Sequence, residues 1–182
     1  NTDEAVRLYS KAVNYPGVQA TLYDIGKDYA STNQNEKAIE AFWACGDYEK
    51  ATSMTRELAQ LLAKNGKTAK AIVAYYTLGD REASASLIKG KEIPDVVAEL
   101  ESFNTFTDGT FRNAVIYENA NVLLDIDAKA SFDLFVTIPD YSDVKTILRS
   151  NEKLGKIAVD YKKDADKEYA AHNYTKAFQL YM

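Results

Sequence analysis

The chain has 182 residues, 46% of them hydrophobic and only 8 glycine and 3 proline, so it can bury a continuous core. Its formal net charge is −5, and its basic residues are scattered among acidic ones, which argues against a nucleic-acid-binding surface. No apolar run approaches the ~20 residues that a membrane-spanning helix needs, so we expect no direct membrane insertion.

The predicted elements are all helices, separated by short turns that contain glycine, asparagine or proline. In the first half, the hydrophobic periodicity predicts helices over residues 3–13, 18–32, 35–45, 48–65 and 68–78. In the second half, it predicts a short helix from Ile93, helices over 111–124, 128–137, 141–150 and 152–171, and a last one after the turn at Asn173.

One residue pattern recurs in these helices at a spacing of 33 positions. Ala38-Ile39-x-x-Phe42 is repeated downstream as Ala71-Ile72-x-x-Tyr75 and upstream as Ala5-Val6-x-x-Tyr9, and a looser copy reads Ser131-Phe132-x-x-Phe135. Such a period is typical of stacked helical hairpins. We therefore expect burial between successive hairpins for Phe42, Cys45, Tyr75, Leu78 and Phe135. The same expectation covers the repeat-matched tyrosines Tyr9, Tyr29, Tyr48, Tyr169 and Tyr181.

The better-matched unit resembles the tetratricopeptide repeat (TPR). Ile25-Gly26-x-x-Tyr29 followed by Ala38-x-x-x-Phe42 meets most of that family's signature, with Leu22 in place of its tryptophan. The resemblance implies an all-α fold, a right-handed α-solenoid of about five antiparallel helical hairpins. We expect one domain over residues 1–182, with regular repeats in 1–92 and irregular repeats in 93–182. Both ends fall inside predicted helices, so we also expect a fragment of a longer protein.

The resemblance also places a binding groove on the first helix of each hairpin. The corresponding positions are Tyr23, Lys27, Ala30 and Ser31 in one unit and Arg56, Gln60, Ala63 and Lys64 in the next. Three cations on one face of an acidic chain favour an acidic or C-terminal peptide as the partner. The alternative is that Lys27, Arg56 and Lys64 only keep the surface soluble. The asparagines of the family's groove are not matched, so a carboxylate clamp of the usual form is unsupported.

No catalytic or metal-binding constellation is evident. His172 has no nucleophile beside it, and Cys45 stands at a small-residue position of the repeat, which predicts a buried thiol. Asp47, Asp80 and Asp140 each follow a helix, where we expect them to cap the next one. The sequence thus favours a non-enzymatic protein–protein interaction or scaffold module that needs no cofactor. The alternative is a regulatory sensor domain that binds a small peptide or metabolite. If the groove is not the functional surface, residues 103–111 are the next candidate.

Overall fold

The computed structural model describes residues 2–101 and 110–181, and every regular element in these residues is an α-helix. The all-α class expected from the sequence is therefore confirmed. The helices are α1 (Thr2–Ser10), α2 (Val18–Ser31), α3 (Asn35–Ala44), α4 (Glu49–Lys64), α5 (Thr68–Thr77), α6 (Arg81–Ser86), α7 (Ile93–Leu100), α8 (Thr110–Ile126), α9 (Ala128–Phe135), α10 (Val144–Ser150), α11 (Glu152–Ala170) and α12 (Tyr174–Tyr181). Helix α6 was not predicted.

Three hairpins, α2–α3, α4–α5 and α11–α12, share one turn geometry. The middle turn residue adopts a left-handed backbone in each, with φ of 58° at Asn33, 70° at Gly66 and 61° at His172. The next residue donates its backbone N–H to a carbonyl five positions earlier, and this distance is 2.9 Å in all three turns. This bond satisfies a carbonyl that the helix end leaves free. The same turn geometry therefore recurs in α2–α3, α4–α5 and α11–α12.

A small, buried residue lies at the same position on the first helix of each of these hairpins. Gly26, Ala59 and Ala165 occupy equivalent positions on the first helices, and all three are buried. At Gly26, an added Cβ would lie 2.4 Å from the ring of Phe42 on the facing helix. The Phe42 ring therefore lies where a side chain at Gly26 would have to fit, and the closest approach of the two helices at Gly26 stays a prediction.

Contacts between alternate helices join α1, α3, α5, α7, α9 and α11 into one row. The same ion pair recurs along this row. Lys37 lies 2.9 Å from Asp3, and Lys70, at the equivalent position one repeat later, lies 2.6 Å from Glu36. Partly exposed pairs of this kind contribute at most about 1 kcal/mol each. Their recurrence indicates that α1–α3 and α3–α5 pack in the same register.

A shift of one helix occurs near the end of the row. In the hairpins α2–α3 and α4–α5, the second helix belongs to the row, whereas in α11–α12 the first helix does. The short helix α10 precedes α11 and contacts both α9 and α11. It takes the place of a first helix, so α11 follows α9 directly in the row. Helix α12 consequently packs against α11 outside the row.

The apolar core is one cluster that runs from Val6 to Leu154. Phe42, Cys45 and Phe135 lie in it, as expected, and Tyr29 is also buried. Tyr48, Tyr75 and Leu78 are only half-buried. The expectation of burial is wrong for Tyr9, Tyr169 and Tyr181, which are exposed. Tyr9 lies on α1 and the other two on the α11–α12 hairpin, on sides over which no described helix packs.

Helix capping follows the prediction at one of the three aspartates. The Asp80 carboxylate accepts a hydrogen bond from the backbone N–H of Ala83, 3.2 Å away, at the start of α6. The prediction is wrong for the other two. Asp47 instead accepts a hydrogen bond from the Gln19 side chain, and Asp140 forms an ion pair with Lys145 in the first turn of α10. Neither residue stands at the N-cap position, which is taken by Tyr48 for α4 and by Asp143 for α10.

Candidate functional site

The predicted groove positions lie on α2 and α4, two helices that contact each other. We call their side chains the first-helix surface: Tyr23, Lys27, Ser31, Arg56, Gln60 and Lys64. All are exposed except Tyr23, which is half-buried. The predicted groove alanines, Ala30 and Ala63, pack partly against the core. The surface is therefore available to a partner, and its polar side chains point away from the core.

Tyr23 forms the apolar part of this surface. Its ring lies edge-on to Tyr48, with centroids 5.6 Å apart, and 6.1 Å from the ring of Phe42. The Lys27 ammonium lies 4.8 Å from the centroid of the Tyr23 ring and 2.8 Å from the Asp24 carboxylate. The hydrogen bond to Asp24 raises the pKa of Lys27, which holds it in the charged form.

The cations on α4 have different surroundings. Arg56 lies 3.4 Å from the Asp80 carboxylate, the same group that caps α6. Lys64 is exposed in the last turn of α4, where a positive charge interacts favourably with the helix dipole. Two of the three predicted cations, Lys27 and Arg56, thus already have carboxylate partners within the chain. This reduces the charge available to an acidic ligand.

The alternative segment is described only in part. Residues 103–109 lie outside the described residues, whereas Phe111 is buried. The Phe111 ring packs 5.2 Å from that of Trp43 and 5.6 Å from that of Tyr76. Tyr76 in turn supports the Arg81 guanidinium, 4.0 Å above its ring. Phe111 therefore anchors the start of α8 on the earlier repeats.

A concave surface lies between α7, α9, α11 and α12, with a volume of about 940 Å³. We call it the α12 groove. Its apolar lining comprises Ile93, Pro94, Val97, Ala98, Phe132, Val136, Ala158 and Leu180. Its polar lining includes Lys91, Glu92, Glu101, Lys129, Asp133, Tyr161, Lys162, Gln179 and Tyr181.

A small polar network forms one wall of the α12 groove. Asp133 accepts hydrogen bonds from the Tyr161 hydroxyl at 2.7 Å and from the Lys129 ammonium at 2.6 Å. The Tyr161 ring stacks on the Phe132 ring, and the Lys129 ammonium lies 5.2 Å from the centroid of the Tyr161 ring. Burial lowers the pKa of Lys129, but hydrogen bonds to Asp133 and Tyr161 outweigh it and leave that pKa raised. The positive charge of Lys129 and the negative charge of Asp133 therefore balance each other in this wall.

Sequence reasoning did not single out the α12 groove. Lys129 and Asp133 are four residues apart on α9, a spacing that predicts an ion pair but not a cavity. Tyr161 reaches this pair from 28 residues away along the chain. The sequence signal was therefore limited to the helical spacing of Lys129, Phe132 and Asp133.

The remaining chemical candidates offer no reactive pair. Burial raises the pKa of the Cys45 thiol to about 11, so the thiolate is disfavoured at neutral pH. His172 is exposed in the last turn and contacts the Tyr174 hydroxyl at 2.8 Å. Across residues 2–101 and 110–181, no group of three or more His, Cys, Asp or Glu side chains is placed to hold a metal ion.

None of the helices in the described part of the chain has the length and apolar character needed to cross a membrane. No protein-family model, curated protein or solved structure matches this chain.

Proposed function

We propose that this chain is a non-enzymatic protein–protein interaction or scaffold module, built as a TPR-like right-handed α-solenoid. The observation that carries the proposal is the repeated hairpin geometry. The turns at Asn33, Gly66 and His172 share one backbone conformation and one hydrogen-bond pattern. An array of this kind presents a long ordered surface, and binding to it costs little loop entropy.

The partner is a protein segment or peptide that binds the first-helix surface on the concave side of the solenoid. Tyr23 supplies a partly buried ring of the kind that anchors interfaces. Lys64 supplies exposed positive charge for an acidic or C-terminal peptide, and Arg56, two helical turns earlier on α4, would have to share its charge between the peptide and Asp80. Since exposed charges are screened within roughly 8–10 Å at physiological ionic strength, this binding should be weak and salt-dependent.

The test reverses the charge of Arg56 and Lys64 to glutamate and measures which proteins are retained from a lysate at low and high salt. A matched control reverses Lys163 and Lys167, two exposed lysines on α11 outside this surface. Both double variants change the net charge equally. The proposal requires that the Arg56/Lys64 variant lose the salt-sensitive partners that the control retains. Equal retention by the two variants would contradict it.

A second candidate is a regulatory sensor domain, and the α12 groove favours it. Its volume of about 940 Å³ falls within the size range of small-molecule and peptide sites. It is lined by helices that are distant in sequence, so a ligand that filled it would contact α7, α9 and α12 together. Small-angle scattering with and without added peptide or metabolite tests this. A change in the radius of gyration on binding supports the sensor, and a constant radius with saturable binding supports a scaffold.

A further inference from the structure

The turn between α4 and α5 contains an Asn-Gly pair, Asn65-Gly66, and no other asparagine of this chain precedes a glycine. Both residues are exposed. Asn65 is the C-cap residue of α4, and Gly66 follows it with a left-handed φ of 70°. An added Cβ at Gly66 would meet nothing within 4 Å. The pair therefore lies open to solvent, and Gly66 carries no side chain that would shield its backbone nitrogen.

The side chain of Asn65 also differs from those of other asparagines in its hydrogen bonding. Side-chain hydrogen bonds hold Asn119, Asn121, Asn151 and Asn173. Within residues 2–101 and 110–181, no hydrogen bond holds the Asn65 side chain. Asn33, in the α2–α3 turn, is followed by Gln34, whose side chain crowds the backbone nitrogen of that residue. Asn65 thus combines a mobile amide with an unshielded neighbouring nitrogen.

From these observations we infer that Asn65 is a site of spontaneous deamidation, the reaction that makes asparagine thermolabile. The Gly66 backbone nitrogen forms a bond to Cγ of Asn65, and the side-chain nitrogen leaves as ammonia with the proton that Gly66 loses. Water then opens the resulting cyclic succinimide. Cleavage of the bond to the side-chain carbonyl gives aspartate, and cleavage of the bond to the main-chain carbonyl gives isoaspartate. The inference does not depend on partner binding at the first-helix surface.

The reaction and its products both affect the α4–α5 turn. The Gly66 N–H donates to the Ala63 carbonyl at 3.1 Å, and the Lys67 N–H donates to the Leu62 carbonyl at 2.9 Å. The turn must open before Gly66 can attack, so the rate in the folded protein reports how often it opens. Isoaspartate adds one CH₂ to the main chain, so the turn can no longer close with the same geometry. Either product adds a negative charge at the end of α4, where the helix dipole disfavours it.

The test incubates the unmodified, folded protein at mildly alkaline pH and follows each asparagine by proteolysis and mass spectrometry. Chromatography separates the aspartate and isoaspartate peptides. We expect Asn65 to convert at least about tenfold faster than Asn33, which corresponds to a barrier lower by about 1.4 kcal/mol. The rate should rise with pH, because the attacking nitrogen must lose its proton. Equal rates at Asn65 and Asn33 would overturn the inference. Conversion of Asn65 in guanidinium chloride but not in the folded protein would also overturn it, since the closed turn would then protect the pair.

Matched variants test the same chemistry in an equivalent turn. Thr32 and Asn33 of the α2–α3 turn correspond to Asn65 and Gly66, and Asn33 has the same left-handed backbone. Thr32→Asn together with Asn33→Gly should therefore create rapid deamidation in that turn. Asn65→Gln should abolish it in the α4–α5 turn, because the longer side chain would have to close a larger ring. The isolated isoaspartate form should melt below the Asn65→Asp variant, which keeps the normal main chain. Equal melting temperatures would contradict the effect of the added CH₂ on the turn.

Discussion

Gly26 provides a sensitive test of how the hairpins pack. A methyl group at this position would lie 2.4 and 2.5 Å from two carbons of the Phe42 ring, closer than real contacts allow. Phe42 is only 2% exposed, so the ring cannot move aside into solvent. Replacing glycine by alanine inside a helix normally stabilises a protein by about 1 kcal/mol. Overpacking a core normally costs about 1–3 kcal/mol.

The clash at Gly26 should exceed the gain in helix propensity. We expect Gly26→Ala to lose up to about 2 kcal/mol, which for a chain of this size lowers the melting temperature by up to about 8 °C. Gly26→Leu should lose more, since it adds three further carbons at the same place. Thermal unfolding followed by circular dichroism measures both. A Gly26→Ala protein that melts at or above the temperature of the unmodified protein would refute the close approach.

Gly155 supplies the control for this substitution. It lies within α11, and an added Cβ there meets nothing within 4 Å. Gly155→Ala should therefore stabilise by about 0.5–1 kcal/mol, opposite in sign to the same change at Gly26. A double-mutant cycle of Gly26→Ala with Phe42→Leu should give a coupling free energy of about 1 kcal/mol or more, because the smaller side chain relieves the clash. Additive effects would show that the ring is not the obstacle.

Three other predictions concern stability. Phe42→Ala should destabilise by about 3–5 kcal/mol in chemical denaturation, through lost burial and a cavity, and a loss below about 1 kcal/mol would contradict its core position. His172→Gly should stabilise by about 1 kcal/mol and Gly66→Ala should destabilise by a similar amount, because both positions have a left-handed backbone. Folding raises the pKa of the Cys45 thiol from its ordinary 9.0 to about 11, so above pH 9 the unfolded state binds fewer protons and stability falls as the pH rises. The difference in urea midpoint between the unmodified protein and Cys45→Ala should accordingly shrink between about pH 8 and pH 11, and a constant difference would contradict the shift.

Much of the local architecture follows from the sequence because it depends on short-range spacing. The helical spacing of apolar residues fixes which face of each helix is buried. The small residues Gly26 and Ala59 fix where two helices meet. Residues able to adopt a left-handed backbone, such as Gly66, fix where a hairpin turns. These features involve residues near one another along the chain, so the pattern predicts them without knowledge of the tertiary structure.

The tertiary structure alone decided which helices cover one another. A short helix, α10, moves α11 into the row, and this one-helix shift exposes Tyr169 and opens the α12 groove. Likewise, the carboxylate that neutralises Arg56 comes from Asp80, 24 residues away. Repeat patterns specify the apolar face of each helix but not its neighbour. The neighbour depends on the lengths of the intervening helices and turns, and therefore on the arrangement of the whole chain.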